Sequence, residues 1–191
     1  TGVVTAVRPD QDYPNFFFQD PNKKEWAGMF IYINKGYSAP SVGDLVILKG
    51  DIAEYYGVTE MKNISSTTIL SSGNEIEPVK LNAALISGPC SEWAEKYEGM
   101  LVRLVNVLVS QTADENGHWI VSDITGSVII DSYLYVGDFP KPELGTHYTS
   151  ITGIVHYTYG EYKLMPRNSN DFNAPFAAVK EIPENFEMMI N

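Results

Sequence analysis

The sequence is short of cysteine, of basic charge and of long apolar runs, and each shortage closes a route. Its 191 residues include one cysteine, Cys90, so no disulfide can form within the chain. That thiol has no second cysteine for a metal set and no nucleophile context, which leaves a small structural thiol as its reading. Lys and Arg number 13 against 24 Asp and Glu, a formal net charge of −11. Nucleic-acid affinity comes largely from Lys and Arg neutralising phosphates, so this balance opposes a generic polyanion-binding role. Only Lys23 and Lys24 are adjacent. No stretch approaches the roughly 18 apolar residues that a membrane-spanning helix needs.

Catalytic and metal signatures are missing too. No Gly-x-Ser-x-Gly, Gly-x-Gly-x-x-Gly or P-loop pattern occurs. His118, His147 and His156 share no short ligand spacing, and Asp114-Glu115-Asn116-Gly117 is too short for an EF-hand loop. The expectation is therefore no enzyme activity, no cofactor and no metal. Residue 1 is Thr rather than Met, and no charged start leads into an apolar segment. This reads as a trimmed or mature fragment, from which any signal peptide would have been removed.

What the chain does have is a repeat. Lys49-Gly50-Asp51-Ile52-Ala53-Glu54-Tyr55-Tyr56-Gly57 returns as Thr152-Gly153-Ile154-Val155-His156-Tyr157-Thr158-Tyr159-Gly160, a shift of 103 residues. Upstream, Gly43 matches Gly145, Asp20 matches Asp123, Gly28 matches Gly126 and Gly2 matches Gly99. A period this long is a whole domain rather than a solenoid unit. It places a first domain over 1–75, a second over 76–171 and an extended tail over 172–191.

Each unit reads as five strands. In the first, Gly2–Arg8, Asn15–Asp20, Gly28–Asn34, Leu45–Glu54 and a run from Val58 into the mid-sixties alternate with turn signals. The linker is expected near 71–80. Ser91 to Glu98 carries a short helical pattern, with Ser91 as N-cap and Trp93 and Tyr97 on one face. The second unit repeats the order: Met100–Gln111, an Asn116-Gly117 hairpin, His118–Asp123, Ser127–Asp131, then strands on either side of Tyr159-Gly160. Five short antiparallel strands hide their edges by closing. The fold expected is all-β, two tandem five-stranded OB-fold barrels with a short helix before the second. A β-sandwich is the rival, but it usually needs about seven strands.

Aromatic residues are the functional candidates. OB-fold ligands lie across strands 2–3 and the loops joining strands 1–2 and 4–5. Tyr13 falls in the first such loop, Phe17, Trp26 and Tyr32 near strands 2 and 3, and Tyr55 and Tyr56 in the 4–5 loop. The second unit offers Trp119, Tyr133, Tyr135, Tyr157 and Tyr159 at comparable places. Exposed rings would stack on bases or sugars; buried ones would fill the barrels or the seam between them. Alternation along Phe16-Phe17-Phe18 sends at least one ring away from the first core. Arg8 and Arg103, in the first strand of each unit, would reach a phosphate or pair with a carboxylate. The matched glycines read as barrel geometry, with φ > 0 expected at Gly57 and Gly160, and Asp20 and Asp123 as turn acceptors.

The marks Gly2-Val3-Val4-Thr5-Ala6-Val7, Phe17-Phe18-Gln19-Asp20-Pro21, Gly28-Met29-Phe30-Ile31-Tyr32, Val42-Gly43-Asp44-Leu45-Val46 and Gly50 to Met61 resemble a known domain type. It is the OB-fold domain found beside endonuclease/exonuclease/phosphatase-type domains in large bacterial secreted nucleases, and in Bacteroidetes-type secreted or lipid-anchored proteins. The second unit matches more loosely through Trp119-Ile120-Val121-Ser122-Asp123 and Gly153 to Leu164. The resemblance implies a secreted or cell-envelope location and a non-catalytic, nuclease-associated module, with single-stranded nucleic acid as partner. A protein-interaction or carbohydrate-binding module is the alternative, and the net charge favours it.

Overall fold

The computed structural model describes residues 1–9, 12–33, 36–88 and 92–173. Asp10, Asn34, Cys90, the expected cap Ser91 and the expected tail with Pro175 and Pro183 lie outside the described residues.

The first barrel is built from β1 (Gly2–Val7), β2 (Phe16–Gln19), β3 (Gly28–Ile31), β4 (Leu45–Tyr55) and β5 (Val58–Ser71). It closes in the order β1-β2-β3-β5-β4, with β3 and β5 parallel and β4 returning to β1. The second uses β7 (Leu101–Gln111), β8 (Trp119–Ser122), β9 (Ser127–Ile130), β10 (His147–Thr158) and β11 (Glu161–Met165) in the same order, closed by β10 on β7. This is the OB-fold arrangement twice. A short strand β6 (Val79–Leu81) pairs parallel with β7, so the chain has joined the second sheet before residue 80.

A 3-10 turn (Ala83–Ile86) and a one-turn helix α1 (Glu92–Glu95) precede the second barrel. The helix ends before Tyr97, so Trp93 and Tyr97 do not share a buried face. Tyr97 and Ala94 pack into the core, while Trp93 is exposed. Phe172 is not free tail: it bridges to Ile151 and stacks on Trp119 with ring centroids 5.9 Å apart.

Three apolar clusters follow from strand alternation. Val4, Phe16, Phe18, Ile31, Ile33 and Val46 fill the first barrel. A larger set around Trp119, Leu104, Ile130, Ile151, Val155 and Leu164 fills the second, with Ile86, Ala94 and Met100 included. The third lies between the barrels: Ala6, Phe17, Phe30 and Val58 from the first meet Leu101, Leu134, Ile154 and Met165 from the second. Phe17 is the ring that alternation sends outward, and the second barrel covers it.

Polar contacts cross the same seam. Gln19 Oε1 accepts from the Leu101 amide at 2.8 Å. Arg167 grips Asp171 through two nitrogens, at 2.7 and 2.9 Å, and donates from Nη1 to the Thr5 carbonyl at 3.0 Å. Gly28 and Gly99 let the two backbones touch. A Cβ on Gly28 would sit 2.2 Å from the Gly99 carbonyl carbon, and Gly99 itself has φ +71°.

Candidate functional site

A groove of about 1070 Å³ opens between the barrels. Its rim is made by the repeated hairpins. Tyr55 pairs with Val58 and Thr158 with Glu161, leaving two-residue loops, Tyr56-Gly57 and Tyr159-Gly160. Their φ values are +49° and +83° in one and +53° and +85° in the other. Positive φ at both central residues is the type I′ signature, whose twist matches that of the flanking strands. Glycine takes the second position without strain. Tyrosine tolerates the first only in the small left-handed region, and the conformation leaves its ring in solvent. Tyr56 is 86% exposed and Tyr159 97%, and both line the groove. Gly57 lies against the second barrel, since a Cβ there would come within 2.7 Å of the Tyr157 ring.

The floor is polar. Asp131 follows β9 and has one carboxylate oxygen fixed by the Tyr133 amide at 2.9 Å. Its other oxygen lies 3.3 Å from Lys163 Nζ and 3.1 Å from His118 Nε2. Lys163 is 4% exposed. Its ammonium also faces the Tyr159 ring, 5.8 Å from the centroid. Arg8 sits over Tyr133 at 4.7 Å. His156 is buried among Phe17, Phe30 and Tyr133. Burial drives its imidazole down to about 4, with Asp131 pulling the other way, so the ring is neutral at pH 7. Its Nδ1 has no hydrogen-bond partner. Burial pushes the Glu60 carboxyl up, with Lys62 opposing. Among the described residues two cations, Arg8 and Lys163, thus stand against two carboxylates, Glu60 and Asp131, in the lining.

The expected site residues divide sharply. Arg8, Tyr32, Tyr55, Tyr56 and Tyr157 line this groove. Tyr157 is partly buried, packs at a tilt against Tyr162 with ring centroids 4.9 Å apart, and supports the first hairpin. Phe17 and Trp119 offer no ring face: both are fully buried, one in the seam and one in the second core. Trp119 opens β8 in register with Ile130, and inward alternation places it among Tyr148, Phe139 and Phe172. Arg103 hydrogen-bonds Thr152 at 3.1 Å and pairs with Glu77 at 3.7 Å, away from the groove lining. Trp26 and Tyr13 are exposed but outside the lining. Asp20 and Asp123 hold their turns through amides of Asn22, Thr125 and Gly126.

The face of strands 2–3, the expected ligand platform, is covered in the first barrel where the second packs on Phe17, and it stays open only where Phe30 and Tyr32 line the groove. In the second barrel the outward positions near this face carry a serine network instead of rings: Ser122 bonds Ser110 at 2.6 Å and Ser127 at 2.8 Å. Sequence reasoning missed Asp131, Lys163, His118 and Glu60 as a group. They are far apart in the chain, and only barrel closure and docking bring them together. Among the described residues no group of three or more His, Cys, Asp or Glu is placed to hold a metal ion. No described helix is long and apolar enough to cross a membrane.

No family model matches the chain, and no curated protein matches it. Among solved structures it is similar to a murine DNA-binding protein bound to double-stranded DNA. The identity is 12% and the TM-score 0.34, over 86% of this chain and 93% of that one. A likeness this distant carries no argument about what this chain binds.

Proposed function

We propose that this chain is a non-catalytic binding module that takes a ring-bearing ligand of low charge in the groove between its barrels. The observation that carries this reading is the pair of hairpin tyrosines, Tyr56 and Tyr159. The same turn presents both to solvent at the rim of one groove whose charges cancel among the described residues. Exposed aromatic rings at a concave site, with a few convergent polar groups, are the usual makings of a small-ligand or polymer site. A carbohydrate fits best: its rings stack on tyrosine, and it asks for hydrogen bonds rather than cations. The resemblance of the first unit to OB-fold domains of secreted proteins supports a secreted or envelope location, where such ligands are met.

Single-stranded nucleic acid is the second reading, favoured by the barrel type and by the stacking that tyrosines offer, about 1–3 kcal/mol per base. With two cations among the described lining residues, such binding would be dominated by bases. Neutralising about two phosphates gives a log–log salt slope of roughly −1.4. Titrating a labelled oligothymidylate and a panel of neutral oligosaccharides at low and high salt separates the readings. Saccharide binding that ignores salt and is lost in Tyr56→Ala and Tyr159→Ala is expected. Oligonucleotide binding with that shallow slope would favour the second reading. Binding of neither class would remove both.

A further inference from the structure

We propose that Lys163, Asp131 and His118 form a hydroxyl-reading subsite at the floor of the groove, specific for an uncharged sugar ring. The inference rests on the reading of the groove as a ligand site and names what selects the ligand within it.

The geometry is that of a fixed donor–acceptor pair. Lys163 and Asp131 are both more than nine-tenths buried, yet both line the groove. Burying an ion pair in this way seldom adds stability over apolar packing, because desolvation offsets the attraction. Its worth lies in pre-organisation. Asp131 is held by the Tyr133 amide on one oxygen and by Lys163 and His118 on the other. A carboxylate has about four acceptor sites, so roughly one remains. The Lys163 ammonium carries three protons and gives one to Asp131. The free acceptor site is therefore on Oδ1, the oxygen that Tyr133 holds, while the ammonium on the Oδ2 side keeps two protons. A donor and an acceptor fixed on one buried carboxylate match two neighbouring hydroxyls of a sugar, one accepting from lysine and one donating to aspartate.

A second observation points the same way. His156 lines the groove, is 8% exposed, and leaves Nδ1 without a partner. Such groups are rare in folded proteins and call for a partner. Nδ1 itself is closed to solvent, so the residue marks uncompensated polarity beside the floor rather than a direct ligand contact. The walls beside this floor are rings: Tyr133, backed by Arg8, and Tyr159, faced by Lys163. Charge selects further. An anionic ligand meets Glu60 and Asp131, and a cationic one meets Arg8 and Lys163, so a neutral ring pays neither penalty.

The test uses the full chain and calorimetric titration with short linear oligomers of glucose, mannose, xylose and galactose. An oligogalacturonate serves as the anionic control. One or more neutral oligomers should bind, with the anionic control weaker. Lys163→Met and Asp131→Asn should each weaken binding about tenfold, the loss of one hydrogen bond to a charged group, while Tyr13→Ala leaves it unchanged. Should either buried variant fail to fold, His118→Gln, at a more exposed side chain, tests the same floor. Sugar binding that falls in Tyr159→Ala but not in the floor variants would overturn the subsite and leave the groove reading standing. Tighter binding of the galacturonate would overturn the neutral specificity. No saccharide binding at all would overturn the subsite, and with no oligonucleotide binding either, the groove reading falls with it.

Discussion

The two barrels share one topology but not one burden. Strand β4 of the first barrel and its counterpart β10 of the second sit at the same place in the repeat. Most of β4 beyond Val46 is exposed or half-buried, with Ile47 and Ile52 in solvent. By contrast β10 is buried almost throughout. Its Ile151 and Val155 point into the second core, while Ile154 and His156 point outward onto Phe17, Phe30 and their neighbours in the first barrel. The second barrel is therefore packed on both sides of one strand. Its core also holds the segment that precedes it, through Ile86, Ala94, Tyr97 and Met100. The first barrel has a small core of its own and leans on the second through the seam. Duplication supplied two equal scaffolds; docking made one the platform and the other the attachment.

The largest effect should come from the platform. Trp119→Ala removes a fully buried ring that meets Tyr148, Phe139 and Phe172. A loss of about 3–5 kcal/mol is expected. Because the first barrel leans on the second, both should lose amide-exchange protection together. Phe16→Ala, in the first core, should instead release the amides of β1 to β5 while those of β7 to β11 stay protected. Equal loss of protection in both barrels for Phe16→Ala would end the asymmetry.

Phe17→Ala acts on the seam rather than on either core. It deletes the ring that meets Phe30 at 5.0 Å and His156 at 5.2 Å. About 3 kcal/mol is expected, at the low end for a buried phenylalanine because a seam relaxes more easily than a core. The diagnostic is where the change appears. Chemical shifts should move on both sides of the groove, at Val58 and Met165, while Val4, Val46 and Trp119 keep theirs. Shifts confined to the first barrel would show that Phe17 serves its own barrel.

These expectations mark what the sequence could and could not say. Strand order, both Tyr-Gly hairpins and the turn roles of Asp20 and Asp123 are local facts, set by alternation and φ preference over a few residues, and all were readable. The outward ring in Phe16-Phe17-Phe18 was readable as a necessity of the pleat. Its covering was not, because what lies on an outward face depends on the neighbouring domain. The polar floor is the extreme case. His118 precedes β8, Asp131 follows β9 and Lys163 lies within β11, and no spacing within the chain announces their meeting. Trp93 misled for the opposite reason: an apparent helical face extended past a helix that stops after one turn.

Acid and base should separate the seam from the segment between α1 and β7 beside it. His156 is depressed to about 4 from 6.5 by burial. Its stabilising neutral form is fully present above 6.5, and the stability it confers is lost as pH falls toward 4. His156→Phe should therefore gain on the order of 2 kcal/mol relative to the parent at pH 5. Glu98, between α1 and β7, runs the other way. Burial, with Glu54 and Glu95 adding, pushes its carboxyl from 4.5 up to about 8. One of its oxygens is buried without a partner. Stability is full below 4.5 and falls as pH rises through 8. Glu98→Gln should gain on the order of 1–2 kcal/mol by pH 9, screening included. Denaturant titrations across this range that run parallel to the parent for both variants would refute the assignment.

The smallest effect concerns the hairpins, where the two barrels are most alike. Tyr56 and Tyr159 pay a left-handed backbone for exposed rings. Asparagine suits the first position of a type I′ turn better. Tyr56→Asn and Tyr159→Asn should each stabilise the fold by about 0.5 kcal/mol, the scale of turn-compatible backbone changes, while removing a groove ring. Opposite movement of stability and ligand affinity is the outcome expected, since a ring kept at a strained position for packing would lose stability when replaced. The gain should be smaller at Tyr56. That ring makes an edge-to-face contact with Tyr55 at 4.7 Å, and its turn is seated on Tyr157. Melting curves of the two variants, read beside their titrations, then measure how far docking has made the two copies of one hairpin different.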